Sequence, residues 1–186
     1  MRSFESEQKA HLAQERWAKT REEVDHIGDR LGKRIDPGIK DTVAALRYFD
    51  FPTDASCEGH MEGKSNAPWV HFDFIPQPLR HRLDQVRKAA GGNWSDPDVL
   101  ALLDQAKSEM VRGSERLMQL LEEFYNDQQS PIDRRLILNF FPDSVRLESQ
   151  GTALQQWRTP TERQEALEIF RQEITAFTEF MKQKMF

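Results

Sequence analysis

The chain has 186 residues, enough for one domain with a substantial core. Charged residues make up 31%, hydrophobic ones 38%, and the formal net charge is -5, a balance that speaks against a wholesale electrostatic grip on nucleic acid but not against a local basic patch. There is no run of about 18 apolar residues, the opening Met1-Arg2-Ser3-Phe4-Glu5 lacks the apolar stretch of a secretory signal, and one cysteine cannot form an internal disulfide, so the expectation is a soluble cytoplasmic protein without a membrane span.

Residues 4–33 read as a charged amphipathic helix. Ala13, Trp17, Thr20, Val24, Ile27 and Leu31 recur at steps of four and three and form one apolar stripe. That stripe can pack on its own domain or on a second copy, which makes segment 1–33 a candidate homo-oligomerisation arm. Asp36-Pro37 predicts a second helix, with a capping carboxylate ahead of proline at the first helical position. Ile39, Val43, Leu46 and Phe49 line one face of it, and Phe51-Pro52 ends it.

Residues 53–57 predict a short strand and residues 69–75 a better one. In the second, Val70, Phe72 and Phe74 alternate with Trp69, His71 and Asp73; the first set is core, the second faces solvent or a site. Pro76 and Pro78 open a short helix with Leu79, Leu83 and Val86, which Gly91-Gly92-Asn93 stops. Ser95-Asp96-Pro97-Asp98 starts the clearest helix, with Val99, Leu103, Ala106, Met110, Gly113, Leu117, Leu120 and Phe124 on its seam. Gly113 there either admits a close neighbour or weakens the helix by about 1 kcal/mol relative to alanine.

A polar linker at 126–133 precedes a hairpin, 136–141 and 145–149, turned by Pro142-Asp143-Ser144. Thr159-Pro160-Thr161-Glu162 is a capping box for a last helix striped by Leu167, Phe170, Ile174, Phe177 and Met181, with Phe180, Met185 and Phe186 widening its apolar surface. The sum is a single α+β domain over residues 1–186, a small mixed or antiparallel sheet of about four strands covered by about five helices. Strand order does not follow from the pattern.

Polar chemistry is densest in Thr53-Asp54-Ala55-Ser56-Cys57-Glu58-Gly59-His60 and the strand beginning Trp69-Val70-His71-Phe72-Asp73, which hold the only cysteine and two of the five histidines. The candidate site is therefore Ser56, Cys57, Glu58, Gly59, His60, Trp69, His71 and Asp73. Cys57 and His60, three apart, can reach one metal ion across a turn, with His71 as third ligand; zinc accepts sulfur and imidazole and needs three protein ligands to leave a position open. Alternatively Cys57 and His60 form a thiolate–imidazolium pair oriented by Asp73 or Glu58. A third reading is a binding loop. Ser56, Cys57, Gly59 and His60 then present amides and small polar groups to an anionic or heterocyclic ligand, and Trp69 stacks on it. Against all three stands plain structure: Cys57 as a small buried hydrophobe, Ser56 capping a turn, both histidines bonded to backbone carbonyls, and Trp69 in the core. The basic clusters Lys33-Arg34, Arg134-Arg135 and Arg80-His81-Arg82 with Arg87-Lys88 read as solvated faces that matter only if the fold brings them beside Cys57.

The order Ile35-Asp36-Pro37-x-Ile39, then Thr53, then Ser56-Cys57-x-Gly59, resembles a fragment of the wybutosine-synthesising tRNA methyltransferase family, whose loop is of the type Thr-x-Ser-Ser-Cys-Ser-Gly-Arg. Here Glu58 stands between cysteine and glycine, and His60 stands in the arginine position. The same segment is similar to bacterial and phage proteins with a Ser-Cys-x-Gly-His loop ahead of an aromatic strand, a match that brings no activity with it. The first resemblance implies S-adenosylmethionine as cofactor and methylation of a modified guanosine in tRNA; it covers residues 35–74. Three functions are thus in view: a small-ligand or metal site at the Ser-Cys-Glu-Gly-His loop, an S-adenosylmethionine-dependent RNA-modifying enzyme, and a helical interaction protein without catalysis.

Overall fold

The structure, a computed structural model, describes residues 2–28, 32–61, 67–126 and 128–185, with side chains from Glu7 onward. In chain order it contains α1 (Arg2–His26), a 3-10 turn (Pro37–Ile39), α2 (Lys40–Tyr48), β1 (Thr53–Cys57) and β2 (Trp69–Phe72). These are followed by α3 (Gln77–Ala89), α4 (Pro97–Asn126), β3 (Leu136–Phe141), β4 (Ser144–Ser149), a second 3-10 segment (Gln150–Trp157) and α5 (Pro160–Gln183). The four strands form one antiparallel sheet in the order β1-β2-β4-β3. The fold class is α+β, as the sequence pattern requires.

Period-two alternation decides which side of the sheet is covered. Val70 and Phe72 of β2 pair with Leu147 and Val145 of β4, and all four are fully buried. Val70, Phe72 and Leu147 join one core with Val43 and Leu46 of α2, Leu117 and Phe124 of α4, and Ile174, Phe177 and Met181 of α5. The opposite face carries Trp69, His71 and Arg146, whose guanidinium lies 4.7 Å from the ring centres of both Trp69 and Phe141. A smaller core of Leu83, Val99, Leu102 and Leu103 fastens α3 to α4. Among the described residues, no helix is long and apolar enough to cross a membrane.

Several boundaries differ from the sequence expectation. The first helix ends at His26 instead of residue 33, and Gly28 bridges to Arg34 with Gly32 at φ 73°, a left-handed turn that glycine adopts freely. Leu31, the last residue of its stripe, lies outside the described residues, as does Phe186 of the tail. Val24 and Thr20 are buried, and Trp17 and Ile27 pack on the main core, so the second half of α1 lies on its own domain. Strand β2 stops at Phe72, three residues early. Phe74 stacks on Phe72 and lies against Gly113, where an added Cβ would meet its ring at 2.5–2.7 Å and its Cβ at 2.8 Å. That glycine is thus a close-approach position. The β3–β4 turn takes only Pro142 and Asp143, since Ser144 already pairs with Phe141. The second 3-10 segment has no counterpart in the pattern reading. The Thr159 capping box is present in both halves.

Candidate functional site

The Ser-Cys-Glu-Gly-His loop leaves the end of β1, where Cys57 pairs with Trp69 across the ladder. It turns at once because Gly59 has φ 79°, and a Cβ there would lie 2.7 Å from Leu167 Cδ1 and 2.8–2.9 Å from the backbone of Ala67 and Pro68. Only glycine fits both the conformation and the space. Arg171 of α5 then clamps the loop, its guanidinium donating to the carbonyls of Glu58 (3.1 Å) and Gly59 (2.8 Å). On the other side the loop meets the Asp36 turn. The Gly38 amide donates to Glu58 Oε2 at 2.7 Å, and the Glu58 amide donates to Asp36 Oδ2 at 3.2 Å.

Asp36 reads in the sequence as a helix cap. In the structure its side chain makes no cap bond and reaches across to the loop instead, 3.3 Å from His60 Nε2. Cys57 Sγ, one oxygen of Asp36 and one ring nitrogen of His60 all lie within 4.8 Å of one another. The thiol accepts a hydrogen bond from the Gly59 amide at 3.3 Å. Its pKa is raised, first by burial and then by the carboxylates of Asp36 and Glu58, with the Gly59 amide acting in the opposite direction. The thiol is therefore the resting form at neutral pH, which disfavours a thiolate–imidazolium nucleophile.

These three residues lie along a cavity of about 410 Å³. Ile27, Ile35, Val43, Ala55 and Trp69 supply apolar wall; Arg34, Arg47, Thr53 and Ser56 add polar groups. Arg47 is half-buried, and its hydrogen bonds, both 3.4 Å, go to the carbonyl and hydroxyl of Thr53. Among the described residues neither Arg47 nor Arg34 has a carboxylate within 4.0 Å. A wider, more polar hollow of about 660 Å³ lies between α1 and the start of β1, with Arg47, Thr53 and Asp54 common to both.

The structure brings together part of the sequence-predicted site. Ser56, Cys57, His60 and Trp69 line one cavity. Glu58 and Gly59 hold the loop's shape, through the bonds already described. Trp69 also carries a buried indole N–H with no hydrogen-bond partner among the described residues. His71 does not join Cys57 and His60: its Nδ1 lies 2.9 Å from Asp54 Oδ1, and Asp36 takes the third place in the cluster. Asp73 is bound by Arg80 through both carboxylate oxygens, at 2.5 and 3.1 Å, and this same arginine holds Asp143.

Pattern reading missed Asp36, Arg47 and Arg171, each of which resembles an ordinary helix residue. Asp36 carries no local signal of this role, since its partners Glu58 and His60 lie 22 and 24 residues away in the chain. Arg34 reads in the sequence as half of a solvated basic pair, and in the structure it lines the same cavity as Cys57. Comparison with protein-family models, with curated proteins and with solved structures found no match for this chain.

Proposed function

We propose that this protein binds a small anionic organic molecule in the cavity between the Asp36 turn, α2 and β1, with the Ser-Cys-Glu-Gly-His loop at its polar end. The observation that carries the reading is Arg47, a half-buried guanidinium on the cavity wall with no carboxylate partner among the described residues. Holding a cation out of bulk water without a counter-charge costs free energy, and a bound carboxylate or phosphate would offset that cost. Lys33 and Arg34 add positive charge at the same cavity, against the carboxylates of Asp36 and Asp54. The volume of about 410 Å³ suits a small organic ligand, and Ile35, Val43 and Trp69 offer its body an apolar and aromatic surface.

The test is a thermal-shift and calorimetric survey in the presence of chelator, using carboxylates, phosphate esters, nucleotides, S-adenosylmethionine and uncharged analogues of each. Anionic compounds should bind and their uncharged analogues should not. Arg47→Met should weaken binding by about 10–100-fold, the worth of a charge-assisted hydrogen bond. Binding of S-adenosylmethionine, whose sulfonium and ammonium outweigh its one carboxylate, would favour the RNA-modification reading over a small anionic ligand. If no anion binds at millimolar concentration, or if Arg47→Met and Trp69→Ala leave every affinity unchanged, the reading is wrong.

A further inference from the structure

We propose that Asp36, Cys57 and His60 form a zinc site, with the fourth coordination position open to the cavity. Three different donors, a carboxylate oxygen, a sulfur and an imidazole nitrogen, converge from two segments far apart in sequence. Such a set is zinc's, since zinc takes all three donor types and imposes no ligand-field geometry of its own. The spacing agrees. Oxygen and nitrogen donors about 2.0 Å from a tetrahedral ion lie about 3.3 Å from each other, and sulfur and nitrogen donors about 3.6 Å apart. Here Asp36 Oδ2 and His60 Nε2 are 3.3 Å apart, and all three donor atoms fall within 4.8 Å. Small rotations of half-exposed side chains would close the remainder.

The surroundings are those of a supported site. The Glu58 amide holds the Asp36 carboxylate, the Gly59 amide points at the sulfur, and Arg171 fixes the two carbonyls between Cys57 and His60. Outer hydrogen bonds of this kind orient ligands before the metal arrives. On binding, a sulfur–zinc bond forms, the sulfur–hydrogen bond breaks, and the proton passes to water. Because all three ligands line the cavity, the remaining position faces it and can take water or a donor atom of the cavity's ligand. Only that last point rests on the ligand reading above; metal binding does not.

The experiment uses the full chain, stripped with chelator and titrated with Co²⁺ alone, then with Zn²⁺ as competitor. One equivalent of Co²⁺ should give a thiolate-to-cobalt charge-transfer band and visible bands of four-coordinate intensity, both lost when Zn²⁺ is added. Cys57→Ser should abolish the charge-transfer band. Asp36→Asn, which keeps an acceptor for the Glu58 amide, and His60→Gln should each weaken binding by at least about tenfold, and His71→Gln should change it by less than about twofold. Circular dichroism of each variant confirms folding. The proposal is overturned by the absence of a charge-transfer band at millimolar Co²⁺. An affinity that Asp36→Asn and His60→Gln leave intact, or one that His71→Gln destroys, would overturn it equally. Failure of metal binding leaves the anion survey untouched, since that survey is run in chelator.

Discussion

Replacing Gly59 by alanine tests the account of the loop most directly. Two penalties add at this position. A residue with a Cβ held at φ 79° costs about 1–2 kcal/mol. The new methyl would also lie 2.7 Å from Leu167 Cδ1 and 2.8–2.9 Å from the backbone of Ala67 and Pro68, and since backbone cannot rotate away, overpacking costs about 1–3 kcal/mol more. Lower entropy of the unfolded chain returns less than about 1 kcal/mol. The net loss is about 3 kcal/mol. Gly92 provides the control: it has φ 83°, and a Cβ there would meet nothing within 4 Å, so Gly92→Ala should cost only about 1 kcal/mol. In urea, with a slope of about 2 kcal/mol per molar, the Gly59 variant should unfold about 1 M earlier than the Gly92 variant. Midpoints within about 0.3 M of each other would refute the claim that the loop is clamped between β2's approach and α5.

Three further outcomes follow from buried polar groups. Tyr125 donates to Glu173 at 2.8 Å and accepts from the Leu136 amide at 2.7 Å, and its pKa is raised, chiefly by burial. A phenol whose folded pKa lies above its unfolded value stabilises the fold fully below about pH 10 and loses that contribution as pH rises further. Tyr125→Phe should cost about 1–2 kcal/mol at neutral pH and flatten the alkaline fall; a spectrophotometric titration in which both tyrosines ionise before unfolding would contradict this. Arg80, with 12% of its side chain exposed, serves Asp73 and Asp143 together. Arg80→Leu strands Asp73 and leaves Asp143 only Arg87 at 4.0 Å, and should cost about 2–4 kcal/mol by chemical denaturation, part of it recovered on adding Asp73→Asn; no recovery would deny the clamp. The Thr42 and Thr178 hydroxyls meet at 2.8 Å in the core. Either single valine replacement should cost about 1–2 kcal/mol, and the double replacement less than the sum of the two in the same denaturation assay; simple additivity would show that the bond carries nothing.

Local signals carried most of the element assignments. The stripe from Val99 to Phe124 reads as one helix because its period is 3.6, and every residue of it except Gly113 is buried. Thr159 to Glu162 closes both bonds of its capping box because the partners are three residues apart. Gly91 and Gly92 stop α3 in left-handed conformations, as glycine there suggests. Local signals failed where a distant partner outweighed them. Asp36 has the composition of a helix cap, but its carboxylate is drawn to an amide and an imidazole 22 and 24 residues away. Asp73 falls on the site side in the strand pattern, but β2 ends at Phe72 and Arg80 binds its carboxylate.

The chain's own pattern, then, determined that there would be an antiparallel or mixed sheet under helices, which faces would be apolar, and that polar side chains would be dense around Cys57. Those properties depend on periodicity, turn residues and composition, which act over a few neighbours. Tertiary structure alone decided that β2 and β4 join two hairpin-like pairs into one sheet, that Asp36 and not His71 completes the group around the thiol, and that Arg34 and Arg47 line the cavity. The physical reason is that each of these is a contact between segments separated by tens of residues. Its geometry is set by how α2, α5 and the sheet pack into a shared core, and no window of neighbouring residues contains that packing.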